Sequence, residues 1–324
     1  MTLNPRIHQK DIQRLPMRAG FGDALVALGS KDARIVALTA DLAESTHVLP
    51  FAKRFPERFV ECGVAEQDMI GVAAGLALAG KIPFAASYAV FSPGRTWDQI
   101  RVSVCYSNAN VKIVGSHAGI TVGSDGATHQ ALEDIAILRV LPNMAVVVPC
   151  DAIEAGKATA AIAKRSGPAY LRLARPSTPV ITNDRTPFEI GKANILRAGT
   201  DVTIIACGPL VYEALIAARM LEAKKISAEV INAHTIKPFD AKTLAASARK
   251  TRAVVTVEDH QMAGGLFGIV AETLARSLPA PIEPVGMPDA FGESGEPHQL
   301  LKQFGMTEED VARAAVRVIK RKTV

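Results

Sequence analysis

The stretch Arg58–Gly80, RFVECGVAEQDMIGVAAGLALAG, joins a short β-like run to a turn of small residues and then to an apolar helix opened by acids. From Met69 to Ala79 only Met, Ile, Gly, Val, Ala and Leu occur. A helix apolar on all sides is expected to be buried all round, inside a core or against a second subunit. Its first turn, Glu66-Gln67-Asp68, then carries a carboxylate into a poorly hydrated place. Two readings are open there: Glu66 complements the positive end of the helix, or it is a buried acid with chemistry to do. A carboxyl taken out of water holds its proton more tightly, so it can share that proton with a ring nitrogen.

Working outward, short β-branched runs alternate with helical segments. Strands are expected at 33–39, 59–62, 82–88, 111–115, 144–148 and 169–173. Helices are expected at 18–29, 95–106, 131–138 and 152–165, after an arm over residues 1–17. Strand–helix alternation argues for parallel sheets covered on both faces. Arg175–Glu189, RPSTPVITNDRTPFE, trades periodic apolar residues for prolines and turn formers and reads as a linker. The alternation then resumes, with strands at 202–206, 228–231, 253–257 and 282–285 and helices at 211–224, 241–250, 267–277 and 308–320. The expected fold is α/β: two consecutive three-layer α/β domains with mostly parallel sheets, over residues 1–185 and 186–324.

Bulk properties narrow the function. A chain of 324 residues with 48% hydrophobic and 21% charged residues has the composition of a globular protein. Its longest apolar run is too short to span a bilayer and residues 1–17 lack a signal-peptide core, so a cytoplasmic protein without membrane contact is expected. The net charge of +5 is mild, and the basic residues form no stripe with aromatics, so no nucleic-acid partner is expected. Cys62, Cys105, Cys150 and Cys207 lie far apart, without ligand spacing, and read as buried free thiols; no metal site is expected on this chain. Gly264-Gly265 opens a helix, where close packing explains the pair as well as anion binding does.

The densest chemistry lies in HAGITVGSDGATHQ, residues 117–130. Two histidines and an aspartate share one glycine-rich loop, and glycines let the backbone fold back so that such side chains converge. Phe91 in AVFSPGRTWDQIR offers a flat apolar ring, and Trp97 reads as helix packing. Arg18, Ser45 in ADLAES and Arg175 in LRLARP could contact an anion, arginine through two parallel hydrogen bonds.

Together these segments resemble the transketolase family and related thiamine diphosphate enzymes. GVAEQDM resembles the pyrimidine-domain segment whose glutamate holds the aminopyrimidine ring, and DGATHQ resembles the family's donor-site loop. The resemblance implies that Glu66 binds the cofactor, that Phe91 stacks on its ring, and that Asp41 lies near it at a subunit interface. It further implies that His117, His129 and Asp125 contact the sugar, with Arg18, Ser45 and Arg175 on its phosphate. Arg95 lies near a position often basic in relatives. No G-D-G motif with a following Asn is present, the part that holds diphosphate and Mg2+ in such enzymes. The resemblance therefore implies the C-terminal subunit of a split transketolase, completed by an N-terminal subunit that carries the motif, in an α2β2 assembly. The alternative is the E1 β subunit of a 2-oxo acid dehydrogenase, built on the same domains.

Overall fold

The computed structural model describes residues 3–9 and 11–322. Of the expected arm, Met1, Thr2 and Lys10 lie outside the described residues, as do Thr323 and Val324 at the other end. Fourteen strands are present among the described residues. They are β1 Arg14–Pro16, β2 Ile35–Thr39, β3 Phe59–Glu61, β4 Ile82–Tyr88, β5 Lys112–Ala118, β6 Ala145–Val147 and β7 Ala169–Ala174. There follow β8 Ser177–Pro179, β9 Asn194–Arg197, β10 Val202–Ala206, β11 Ala228–Asn232, β12 Thr235–Lys237, β13 Val254–Gln261 and β14 Ile282–Met287.

The α/β expectation holds, with helices over two mostly parallel sheets. The first has seven strands in the order β12-β6-β7-β5-β4-β2-β3, parallel except for β12. The second has five in the order β14-β13-β10-β11-β9, parallel except for β9. Strands β2, β5 and β7 are buried along their whole length, as expected where both faces of a parallel sheet are covered, although β5 carries Lys112 and His117 and β7 carries Arg172. Helices Met17–Gly29 and Ala152–Lys164 cross closely: a Cβ at Gly20 would lie 1.9 Å from the Ala152 carbonyl oxygen, so only glycine permits the approach.

Within this chain the helix Glu66–Leu78 is covered on one side only: Met69, Ile70, Ala73 and Ala74 face the core, and Gly71, Gly75 and Leu78 are exposed. Other expectations are corrected. The helix expected at 95–106 is a broken segment of wide, π-type turns at Val90–Arg95 and Ile100–Tyr106 flanking one α turn, because Pro93 lacks an N–H and Ser92 leaves helical geometry. Cys62 is half-buried, whereas the other three cysteines are buried. The 175–189 segment contains β8, which pairs antiparallel with β1 of the arm, and its Ile181 and Thr182 amides donate to the Asp151 carboxylate at 2.9 and 2.6 Å. The first sheet also takes its edge strand β12 from beyond that segment. Among the described residues no helix is long and apolar enough to cross a membrane.

Candidate active site

In an open parallel sheet, ligands collect at the carboxyl ends of the strands, near the point where strand order reverses. The chain runs from β2 outward to β3 and then returns to the other side of β2 with β4 and β5, so the reversal falls at β2/β4. The loops after those four adjacent strands bring the candidate residues to one edge. Asp41 follows β2, Glu66 follows β3, Phe91 follows β4, and His117 closes β5.

Glu66 is only 2% exposed despite opening its helix. Its Oε2 accepts a hydrogen bond from Arg95 Nη1 at 2.8 Å, and the Arg95 guanidinium lies over the Phe91 ring, 4.9 Å from its centre. The acid is therefore buried, as expected, but has a cationic partner that the sequence did not disclose. A flat, N–H-bearing cation stacked on Phe91 and bonded to Glu66 tests what this corner accepts: a planar nitrogen-containing group against the ring, donating to the carboxylate.

An aromatic ladder links this corner to the histidine loop. Phe91 stacks with Tyr88 at 5.9 Å and meets His129 edge-on at 5.4 Å, while Tyr88 stacks on His117 at 3.9 Å. Both imidazoles thus lie on the same side of the sheet as Glu66. His117 is buried, with φ at 55°, and its Nδ1 is 2.9 Å from Ser116 Oγ. Burial, reinforced by the nearby Arg18 and Arg175 charges, pushes its pKa down to about 3. Its ring is therefore neutral at physiological pH, with one nitrogen a donor and the other an acceptor. Tyr88 was missed; an aromatic at the carboxyl end of β4, three residues before Phe91, was its only signal.

Arg175 sits against the same loop. Its Nη1 lies 3.2 Å from Asp125 Oδ1 and donates to the Val122 carbonyl and, at 3.3 Å, to Ser124 Oγ. Arg18 Nη1 donates to the Arg175 carbonyl at 2.7 Å. Both arginines line an open cavity of about 300 Å³ with Ser124, Ser177 and the Gly295–Pro297 turn. Arg18, Asp125 and Arg175 are thus brought together as the sequence suggested.

Ser45 and Asp41 stand further off. Ser45 is half-buried in the turn before helix Leu49–Arg54, and that turn packs on the first helix through His47 against Gly22, one helical turn from Arg18. Asp41 is exposed in the left-handed region at φ 58°. Glu61, also missed, ties Asp41 to the turn before Glu66, its Oε1 accepting from the Asp41 and Gly63 amides at 2.7 and 3.0 Å.

Buried groups of both sheets meet behind the loop, where Arg172 Nη2 donates to the Asp259 carbonyl of β13 at 2.8 Å. Arg172 and Asp134, both buried, form an ion pair at 2.7 Å, and Tyr170 Oη donates to the same carboxylate at 2.6 Å. Glu258 accepts from the Leu266 and Phe267 amides, and a Cβ on Gly265 would meet its carboxylate at 2.1 Å. The glycine pair therefore serves close packing around a capping acid.

Comparison with known proteins bears on the whole chain. Residues 13–180 match the family model "Transketolase, pyrimidine binding domain", and residues 191–311 match "Transketolase, C-terminal domain". The 6-deoxy-6-sulfo-D-fructose transketolase subunit of Clostridium sp. is 45% identical, covering 94% of this chain and 95% of the relative. An apulose-4-phosphate transketolase subunit of Phocaeicola vulgatus is 41% identical, covering 94% and 97%. A solved split-gene transketolase, described as an inactive β4 tetramer, superposes with a TM-score of 0.90 at 47% identity, covering 95% of this chain and 100% of that one.

Proposed function

The chain belongs to the transketolase family as a C-terminal subunit of the split type, and from that premise we propose that it forms half of a thiamine diphosphate-dependent transketolase active site. The reaction is transfer of a two-carbon ketol unit between sugar phosphates. The other half, which holds the diphosphate and Mg2+, comes from an N-terminal subunit carrying the G-D-G and Asn motif, in an α2β2 assembly. Residues 1–185 form the pyrimidine-binding unit and 186–324 the C-terminal domain. A 2-oxo acid dehydrogenase E1 β subunit is not favoured, since the relatives are transketolase subunits along 94% of the chain.

One observation carries the reading: a buried carboxylate and a facing aromatic ring hold a planar N–H cation between them, with two imidazoles on the same aromatic ladder. Those residues fit an aminopyrimidine. The chemistry supplied by thiamine diphosphate, when bound, is a carbon nucleophile that breaks and forms the ketol carbon–carbon bond. Glu66, once parted from Arg95, holds a proton at the ring nitrogen, and Phe91 keeps water from one ring face. Neutral His117, with His129, orients the sugar oxygens by hydrogen bonding, and Asp125 accepts from a sugar hydroxyl. Arg18 and Arg175, with Ser45, clamp the distal phosphate, and Asp41 lies at the interface between the two polypeptides.

The test is ketol transfer by the reconstituted two-subunit enzyme. Glu66→Ala is expected to lower turnover by roughly a thousandfold or more while assembly persists, and the isolated chain with thiamine diphosphate and Mg2+ is expected to be inactive. Near-wild-type turnover of the variant, or robust transfer by the isolated chain, overturns the proposal.

A further inference from the structure

The segment that bears His117, Asp125 and His129 is glycine-rich and only partly held by hydrogen bonds within itself. Gly119, Gly123 and Gly126 all have positive φ, and His117 is itself in the left-handed region. A glycine-rich backbone has many conformations to lose, and a strained residue persists only where its surroundings over-determine it. A further restraint on this loop is supplied from β13, in the other domain. Asp259 Oδ1 accepts from the Ile120 amide at 2.8 Å and Oδ2 from the Thr121 hydroxyl at 2.7 Å. The carboxylate also packs flat on Gly119, where a Cβ would come within 2.1 Å of Oδ2.

Asp259 is in turn held from the first sheet, its carbonyl accepting from Arg172 Nη2 at 2.8 Å. Two residues along β13, the Gln261 amide donates to the Leu132 carbonyl at 2.9 Å, so one strand fastens both ends of the loop. Gln130 closes the arrangement, donating to the Ile120 carbonyl at 3.2 Å and to the Glu293 carbonyl at 2.9 Å.

We propose that Asp259 is a positioning residue of the active site: from the second domain it clamps the Gly119–Thr121 turn and so sets the directions of His117 and Asp125. The inference rests on the functional reading above and gives the second domain a task in substrate placement. In this role Asp259 acts only through the loop, by the Ile120 amide and the Thr121 hydroxyl.

Two measurements test this, one independent of turnover. In hydrogen–deuterium exchange on the isolated chain, Asp259→Ala is expected to speed exchange across residues 117–130 while the remainder of the first sheet stays protected. In the reconstituted enzyme the same variant is expected to lose roughly tenfold to a hundredfold in kcat/KM for the ketose phosphate, with thiamine diphosphate affinity within about twofold of wild type. Asp259→Asn keeps an acceptor for the Ile120 amide and a partner for the Thr121 hydroxyl, and is expected to restore both readouts. Thr121→Val, which removes one of the two bonds, is expected to show a weaker form of the same pattern and serves if Asp259→Ala does not fold. Unchanged exchange at 117–130, exchange raised evenly over both domains, or an Asn variant no better than Ala overturns the clamp. An inactive wild-type reconstitution, or full activity of Glu66→Ala, would instead sink the functional reading and leave the exchange test standing.

Discussion

Removing the Asp134 carboxylate is the sharpest perturbation the structure offers outside the site itself. Asp134 accepts from Arg172 Nε at 2.7 Å, from Arg172 Nη2 at 3.1 Å and from Tyr170 Oη at 2.6 Å. Both members of the pair are nearly inaccessible, with side-chain exposures of 3% and 1%. In Asp134→Ala the guanidinium keeps only the Ala131 and Asp259 carbonyls as acceptors, and the Tyr170 hydroxyl keeps none of its present bonds. Stranding one charge of a buried pair costs about 3–5 kcal/mol. For a unit of this size that lowers the thermal midpoint by roughly 6–20 °C.

The assay is thermal and urea unfolding followed by two probes, because a chain with two cores need not unfold in one step. The control is Asp134→Leu, Arg172→Met and Tyr170→Phe combined, which removes both charges and the hydroxyl together, strips only the Ala131 and Asp259 carbonyls of a donor, and should recover part of the loss. The pH dependence has a fixed sign. Burial alone would push the Asp134 carboxyl up, but the Arg172 charge and the hydrogen bonds outweigh it and hold the carboxyl below its ordinary value. Its contribution is therefore present above the unfolded pKa of about 3.9 and is lost as pH falls through the lower folded value. A midpoint for Asp134→Ala within about 2 °C of wild type, or a triple variant as unstable as the single one, would refute the reasoning.

Glu258 has the opposite sign: burial raises its pKa to about 8, against the Phe267 and Leu266 amides, which lower it. Its contribution is full below the unfolded pKa of about 4.3 and fades as pH climbs through about 8. Unfolding midpoints measured from pH 5 to 9 should fall more steeply for wild type than for Glu258→Gln, and parallel curves would contradict this. On the helix Glu66–Leu78, a Cβ at Gly71 or Gly75 meets nothing within 4 Å. Alanine at both should leave the isolated chain as stable or raise it by about 1 kcal/mol. Leucine at both should instead block assembly in sedimentation runs if this face docks a subunit, and normal assembly would exclude such docking.

Much of the site was legible because its chemistry is contiguous. His117, Asp125 and His129 fall within one loop, and Glu66 follows a β-like run directly, so strand–loop order alone puts both at the carboxyl edge of a parallel sheet. What escaped was whatever depends on distant partners. Asp259 reaches Ile120 across 139 positions, and nothing local in Glu258-Asp259-His260 reveals a bond to another domain. The three-residue β12 joins the first sheet because Thr235 and Lys237 pair with Val147 and Val146, a match too short to leave a period. The bond from Arg95 to Glu66 escaped for the same reason, since the two lie 29 positions apart on different helical segments.

The helix Glu66–Leu78 is informative for the same reason. Sequence apolarity integrates all the burial a segment experiences in its assembled state, whereas the fold of one chain supplies only part of it. Met69, Ile70, Ala73 and Ala74 find their cover within the chain; Leu78, and Val64 just before the helix, do not, at 70% and 73% exposure. Val102 and Tyr106, on the wide-turn segment packed against this helix, are likewise exposed, at 44% and 88%. Of the large hydrophobic residues the chain leaves exposed among the described residues, these four lie on or beside the element that carries Glu66, and Val140, Ile195 and Phe291 lie elsewhere. On the functional reading proposed above, the second polypeptide would cover this apolar surface, which runs from Val64, just before the acid, to Leu78 at the far end of its helix.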